Sequence, residues 1–241
     1  MGRRTKRRRG PDPFDGILPV DKPAGWTSHD VVAKIRNHFR LSKVGHGGTL
    51  DPMATGLLIV LIGKGTKLSQ TVMNGDKTYE GVIRLGITTD SQDRDGTILQ
   101  ERDPSGITRE RLERLVAERF VGEFDQIPPM VSAIKKNGVA LYKLARQGKE
   151  IEREPRKVRV ESFEILDFEN PLLQIRVRCS KGTYIRTLAH DIGRALDVGG
   201  TLDALRRTAS GTLDVEQAHS LADVLERDRE TLAEWVSPQL P

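Results

Sequence analysis

Cysteine occurs once in the 241 residues, at Cys179, so no intramolecular disulfide can brace the fold. Standing between Arg178 and Ser180 at the end of an apolar alternation, Cys179 reads as a small packed residue rather than a nucleophile. The five histidines (His29, His38, His46, His190 and His219) include no pair at zinc-ligand spacing, so no structural metal is expected. The longest apolar run, Leu57 to Ile62, is far shorter than the ~20 residues a membrane-spanning helix needs. No apolar stretch follows the basic N-terminus, as a secretory signal would require, and the expected location is the cytoplasm. The length permits one large domain or two small ones.

Charge is unevenly placed. Residues 1 to 10 carry six bases and no acid, whereas residues from 214 onward carry seven acids and two bases. That leaves 31 bases against 27 acids for residues 11 to 213, a mildly basic body. A basic tail of this composition, followed by Gly10, Pro11 and Pro13, is expected to be disordered. It would favour an acidic polymer through counterion release, or serve only as a solubilising tail.

Between those ends strands and helices mix without regular alternation. Ile17 to Val20 reads as a strand entering the Lys22-Pro23-Ala24-Gly25 turn, and Ser28 is placed to cap a helix whose Val31, Val32, Ile35 and Phe39 share a face. A Gly-rich loop, Gly45 to Gly56, leads into the apolar strand Leu57 to Leu61. Alternation predicts strands through Tyr79 to Leu85, from Val158 to Phe163 and from Leu173 to Cys179. Helices are predicted from Thr108 to Phe120 and Thr183 to Leu196, with one short helix around Leu221 to Leu225. The pattern indicates an α+β fold with a largely antiparallel sheet.

Several chemistries lack their motifs. Gly63-Lys64-Gly65-Thr66 has Leu58 where a phosphate loop needs Gly, and Ser91 to Gly96 begins a calcium-like loop whose twelfth position is Arg102, so the latter reads as a polar hairpin. His-Glu-x-x-His and Gly-x-Ser-x-Gly are both absent. What stands out is the loop Gly45-His46-Gly47-Gly48-Thr49-Leu50-Asp51-Pro52-Met53-Ala54-Thr55-Gly56. Its glycines let backbone approach a ligand closely, and Asp51, between Leu50 and Pro52, is either a held reagent or the cap of an Asp-Pro turn.

The wording of that loop, Gly-Gly-Thr-Leu-Asp-Pro-Met-Ala-Thr-Gly, resembles the catalytic motif of the TruB family of pseudouridine synthases. The likeness continues in order through Gly16 to Pro23 with Trp26-Thr27-Ser28, Lys77-Thr78-Tyr79 with Leu85-Gly86 and Thr89-Asp90, and Gln126 to Met130. It ends with Ser180 to Thr187 and Leu205-Arg206-Arg207, so that it spans roughly residues 16 to 213. It implies the pseudouridine-synthase fold, a mixed and largely antiparallel central sheet flanked by helices and loops. It also implies isomerisation of uridine 55 in the T loop of tRNA, without metal or cofactor.

By the same resemblance Asp51 is the nucleophilic carboxylate, Arg186 the arginine that pairs with it, and Tyr79 the ring that stacks on the flipped uracil. His46 falls at the flipped-nucleotide pocket, and Tyr184 and Leu205 at uracil-contacting positions. Candidate phosphate contacts are Lys34, Arg36, Arg40 and Lys43, the group Arg153, Arg156, Lys157 and Arg159, and Arg206 with Arg207. Lys22 is read either as part of a structural turn or as an RNA contact. The domain expectation is a basic tail at 1–13, a catalytic domain at 14–213 with an RNA-clasping insertion around 124–152, and a short acidic extension at 214–241. The C-terminal PUA domain of many relatives is not expected in full, because too few and too acidic residues follow Leu213. The implied partner is the T arm of tRNA, with no membrane or protein partner, for a monomer.

Overall fold

The computed structural model describes residues 14–132, 134–136, 138–145, 147–149 and 151–238; the basic tail lies outside them. In chain order the elements begin with β1 (Gly16–Lys22), α1 (Ser28–His38), β2 (Val44–His46), β3 (Thr55–Ile62) and α2 (Ser69–Asn74). There follow β4 (Lys77–Leu85), β5 (Ile87–Thr89), β6 (Ile98–Glu101), α3 (Arg109–Arg119), β7 (Gly122–Gln126), β8 (Lys135–Lys136) and β9 (Val139–Ala140). Then come α4 (Leu141–Ala145), β10 (Arg156–Glu169), β11 (Leu172–Cys179), α5 (Ile185–Ala195) and β12 (Gly200–Ser210). The chain finishes with β13 (Leu213–Asp214), β14 (His219–Ser220), α6 (Leu221–Glu226) and α7 (Arg229–Trp235).

These elements form two compact units, one from the described parts of Met1–Asn74 and Gly211–Pro241, the other from Gly75–Ser210. The expected boundaries at 14–213 and 214–241 therefore do not follow the packing, because the acidic C-terminal segment completes the first unit. There β1 runs antiparallel to β3, from Gly16 opposite Ile62 to Lys22 opposite Gly56, and parallel to β14. Ile17 exchanges backbone hydrogen bonds with Ser237, at 2.8 and 2.9 Å, which satisfies groups that an edge strand leaves open. Ile17, Leu57, Ile59, Leu61, Val72 and Leu213 form its core cluster. The C-terminal segment holds two helices where one was expected, with buried Leu221, Val224 and Leu232 as their apolar positions.

Helix α1 forms where predicted, with Val31, Val32 and Ile35 buried. Its cap is Thr27 rather than Ser28: Thr27 and Asp30 make a reciprocal capping box. Ser28 is thereby released for a different task, described below.

The second unit is built on an antiparallel sheet in the order β12-β4-β11-β10-β7. Its apolar residues alternate along β4 and β11, and α5 packs on β12 and β4. Gly122 to Gln126, at the start of the expected insertion, pairs with β10 as a regular strand. On the outer face Arg176 bridges Glu80 and Glu164, Arg178 meets Glu161 and Arg159 meets Asp76. Arg159, a candidate phosphate contact, is thus already engaged by a carboxylate.

Candidate active site

In the first unit the Gly-rich loop is tied down on both sides of Asp51. The Ser28 hydroxyl accepts from the Leu50 amide at 2.8 Å and donates to the Leu50 carbonyl at 3.2 Å. The Pro52 carbonyl accepts from the Gly25 amide at 2.8 Å and from Lys22 Nζ at 3.3 Å. Leu50, Met53 and Ala54 are buried, while Asp51 keeps a half-exposed position between its anchored neighbours. The loop therefore presents one carboxylate on backbone that cannot easily move. A side chain at Gly47 would come within 2.2 Å of Val72, so close packing requires glycine there.

Lys22 is 0% exposed, and its ammonium donates to the Pro23, Trp26 and Pro52 carbonyls. Its burial and these bonds fit the structural-turn reading and leave no exposed atom for a phosphate. His46 sits half-buried beside the loop, its Nδ1 accepting from the Gly48 amide at 3.4 Å and its ring edge-on to His29. Lys43 is exposed and stays available to RNA.

In the second unit Arg186 occupies the first turn of α5 and is 3% exposed. Its Nη1 donates to the Ser91 carbonyl at 3.0 Å and lies 3.5 Å from the Asp93 carboxylate, while Nη2 donates to the Val131 carbonyl at 2.8 Å. Fixed by partners from two loops, this guanidinium is not the surface charge that its residue type alone would suggest. Asp93 was missed in the sequence: the segment read as a polar hairpin buries this carboxylate, which also accepts from the Ser91 hydroxyl at 2.6 Å and the Asp95 amide at 3.1 Å. Gln126 was missed as a positioning group as well; its amide exchanges two hydrogen bonds with the Tyr184 backbone, at 2.8 and 3.1 Å.

Tyr79 lies on β4, half-buried, opposite Val177 on β11 and Arg207 on β12. Leu205, two residues before Arg207, covers bare Gly81 and is buried, as a core leucine would be. Arg207 is 2% exposed, which likewise leaves little of it open to a phosphate, whereas Arg206 remains partly exposed. Lys77 is buried in this region; desolvation, then the nearby Arg207 charge, pushes its pKa down to about 8. Burial pushes the Cys179 thiol up to about 12, which keeps it neutral. Among the described residues no three His, Cys, Asp or Glu side chains group as metal ligands.

The antiparallel sheet with α5 packed on it, and the strands and helices of the other unit, define an α+β protein. Comparison with known proteins gives its kind. The family model described as TruB family pseudouridylate synthase (N terminal domain) matches residues 36–185, and that of the tRNA pseudouridylate synthase B C-terminal domain matches residues 186–239. The tRNA pseudouridine synthase B of Opitutus terrae is 51% identical over 222 residues, covering 89% of this chain and 92% of that protein. That of an Azoarcus species is 52% identical over 207 residues, covering 86% and 68%. A crystal structure of a Cbf5-Nop10-Gar1 complex contains a chain that superposes with a TM-score of 0.74 at 31% identity, over 94% of this chain and 60% of that one. The chain belongs to the TruB family of pseudouridylate synthases, which are isomerases.

Proposed function

We propose that this chain converts uridine 55 in the T loop of tRNA to pseudouridine, with Asp51 as nucleophile acting on a flipped-out base. The observation that carries the reading is the loop held at both neighbours of Asp51, which supplies a positioned carboxylate without a cofactor. The name shared by the relatives, tRNA pseudouridine synthase B, supports tRNA as the substrate.

The chemistry is an isomerisation. The carboxylate forms a bond to the nucleoside, the glycosidic bond breaks, the uracil turns, its C5 joins the sugar C1′ as the bond to Asp51 breaks, and C5 gives up its proton while N1 takes one up. Asp51 must be ionised to act, and a nearby cation favours that state; the family resemblance gives this task to Arg186. Tyr79 offers a ring face to the extruded base, and His46, Tyr184 and Leu205 are assigned to its pocket. Extrusion costs a few kcal/mol, which contacts to the RNA backbone must offset, with Lys43 and Arg206 as contributors. The partner is the T arm, the protein acts as a monomer, and its place is the cytoplasm. Among the described residues no helix is long and apolar enough to cross a membrane.

The test is incubation of the purified protein with unmodified tRNA transcript carrying C5-tritiated uridine. Release of tritium by wild type, and its loss in Asp51→Asn with tRNA affinity retained, is the expected result. A wild type that binds tRNA and releases nothing would make the protein an RNA-binding or tRNA-folding module instead.

A further inference from the structure

Side chains alternate along a strand, so the face of β4 that carries Tyr79 also carries Lys77, about 7 Å away along the backbone. In the sheet register Lys77 lies between Cys179 of β11 and Ser210 of β12, and Tyr79 between Val177 and Arg207. Lys77 and Arg207 are 6% and 2% exposed. One small area of sheet thus holds two buried cations flanking one aromatic ring. Ile83 and Leu85, further along the same face of β4, show what packing alone would select.

The Lys77 ammonium donates to the Gly75 carbonyl, at 2.5 Å, and the charges around it are of both signs. Asp76, on the turn before β4, favours the ammonium, but its carboxylate already meets Arg159 at 3.1 Å. Lys181, following β11, adds positive charge, and the Cys179 thiol is neutral. Glu80 points to the opposite face, toward Arg176. Helix α5, packed on β12 and β4, brings Arg186 in its first turn and His190, Asp191 and Arg194 further along. The Ser210 hydroxyl opposite Lys77 is buried and has no hydrogen-bond partner in the structure.

We propose that Lys77, together with Arg207, is a positioning cation for the reaction, its field acting from behind Tyr79 on the negative charge that the uracil acquires as its glycosidic bond breaks. The inference rests on the pseudouridine-forming reading and adds to it a group that need not touch the base. When the C1′–N1 bond breaks, its electron pair stays on the uracil and spreads over the ring carbonyls. After the ring turns, C5 bonds to C1′, N1 takes up a proton and C5 releases one. The anion exists only between those steps, and fixed charge in a water-poor site is most effective at that stage. An ammonium titrating near pH 8 loses this effect within the pH range where the protein can be assayed.

The experiment is single-turnover tritium release from full-length wild type, Lys77→Met and Lys77→Arg between pH 6.5 and 9.5, with tRNA affinity and thermal melting measured on each. Wild type should slow above about pH 8. Lys77→Met should be roughly tenfold slower at pH 7 and lack that decline, with unchanged tRNA affinity. Lys77→Arg should recover most of the rate and hold it to the highest pH. If Lys77→Met keeps the wild-type rate and profile, or if Lys77→Arg is as slow as Lys77→Met, the charge has no such role. An inactive wild type would bring down the underlying activity itself, and this inference with it.

Discussion

Two buried lysines show how the same side chain can serve opposite ends. The Lys22 ammonium makes three hydrogen bonds to carbonyls and so repays its desolvation locally. Lys22→Met should therefore lower stability by about 2–4 kcal/mol in urea denaturation, as expected for a buried charge-assisted network losing its donor. Lys77 also donates to a carbonyl, that of Gly75 at 2.5 Å, but it is desolvated beside the Arg207 charge. Its folded pKa of about 8 lies below the ordinary 10.5, so the unfolded chain binds more protons between those values and stability rises with pH across that window. Below pH 8 the full penalty is present. Lys77→Met should consequently raise the urea midpoint at pH 7, the gain shrinking as pH rises from about 8 to 10.5, even as it slows the chemistry. At Asp51 the expectation is simpler: Asp51→Asn should reduce turnover by about a thousandfold or more while leaving tRNA affinity intact.

At the scale of elements, α1 and the loop it supports form one mechanical piece. The capping box frees the Ser28 hydroxyl to grip both backbone groups of Leu50, so Ser28→Ala should lower kcat more than it raises KM. Thr27→Ala, which removes only the cap, should cost about 1 kcal/mol of stability. Much of this was legible in the chain: the stripe of Val31, Val32 and Ile35 marked the helix, and alternation marked β4 and β11. Distinguishing Thr27 from Ser28 as the cap was not, because both can accept from a helix amide and the choice was settled by Leu50, more than twenty residues away. Asp93 was hidden for the same reason. Its neighbours in sequence are polar and its cation comes from α5, 93 positions further on. The second C-terminal helix was obscured because acidic composition masked an apolar stripe interrupted at Arg227-Asp228.

For the whole molecule, electrostatics divides into a titrating part and a screening part. Burial lowers the pKa of His190 and His219, and for His219 the Arg227 charge adds to this against Asp223. Folding thus favours the neutral imidazole, and the unfolded chain binds more protons just below the ordinary value of 6.5. Stability should fall as pH drops through that region, and melting should occur at lower temperature at pH 5 than at pH 7. His219→Gln should weaken the dependence, although it forfeits the stack on Trp235 at 3.5 Å. The basic tail is the screening part: deleting residues 2 to 9 should weaken tRNA binding and flatten its dependence on salt. Equal slopes with and without the deletion would leave the tail without an RNA role.

The hydrogen bonds joining Ile17 to Ser237 also impose a timetable on synthesis. The Gly75–Ser210 unit is one continuous stretch and can consolidate while the ribosome is still adding the remainder. The unit begun by the first strand must wait until Ser237 has been added. In pulse-labelled exchange during refolding, amides of β4, β11 and β10 should gain protection before those of β1.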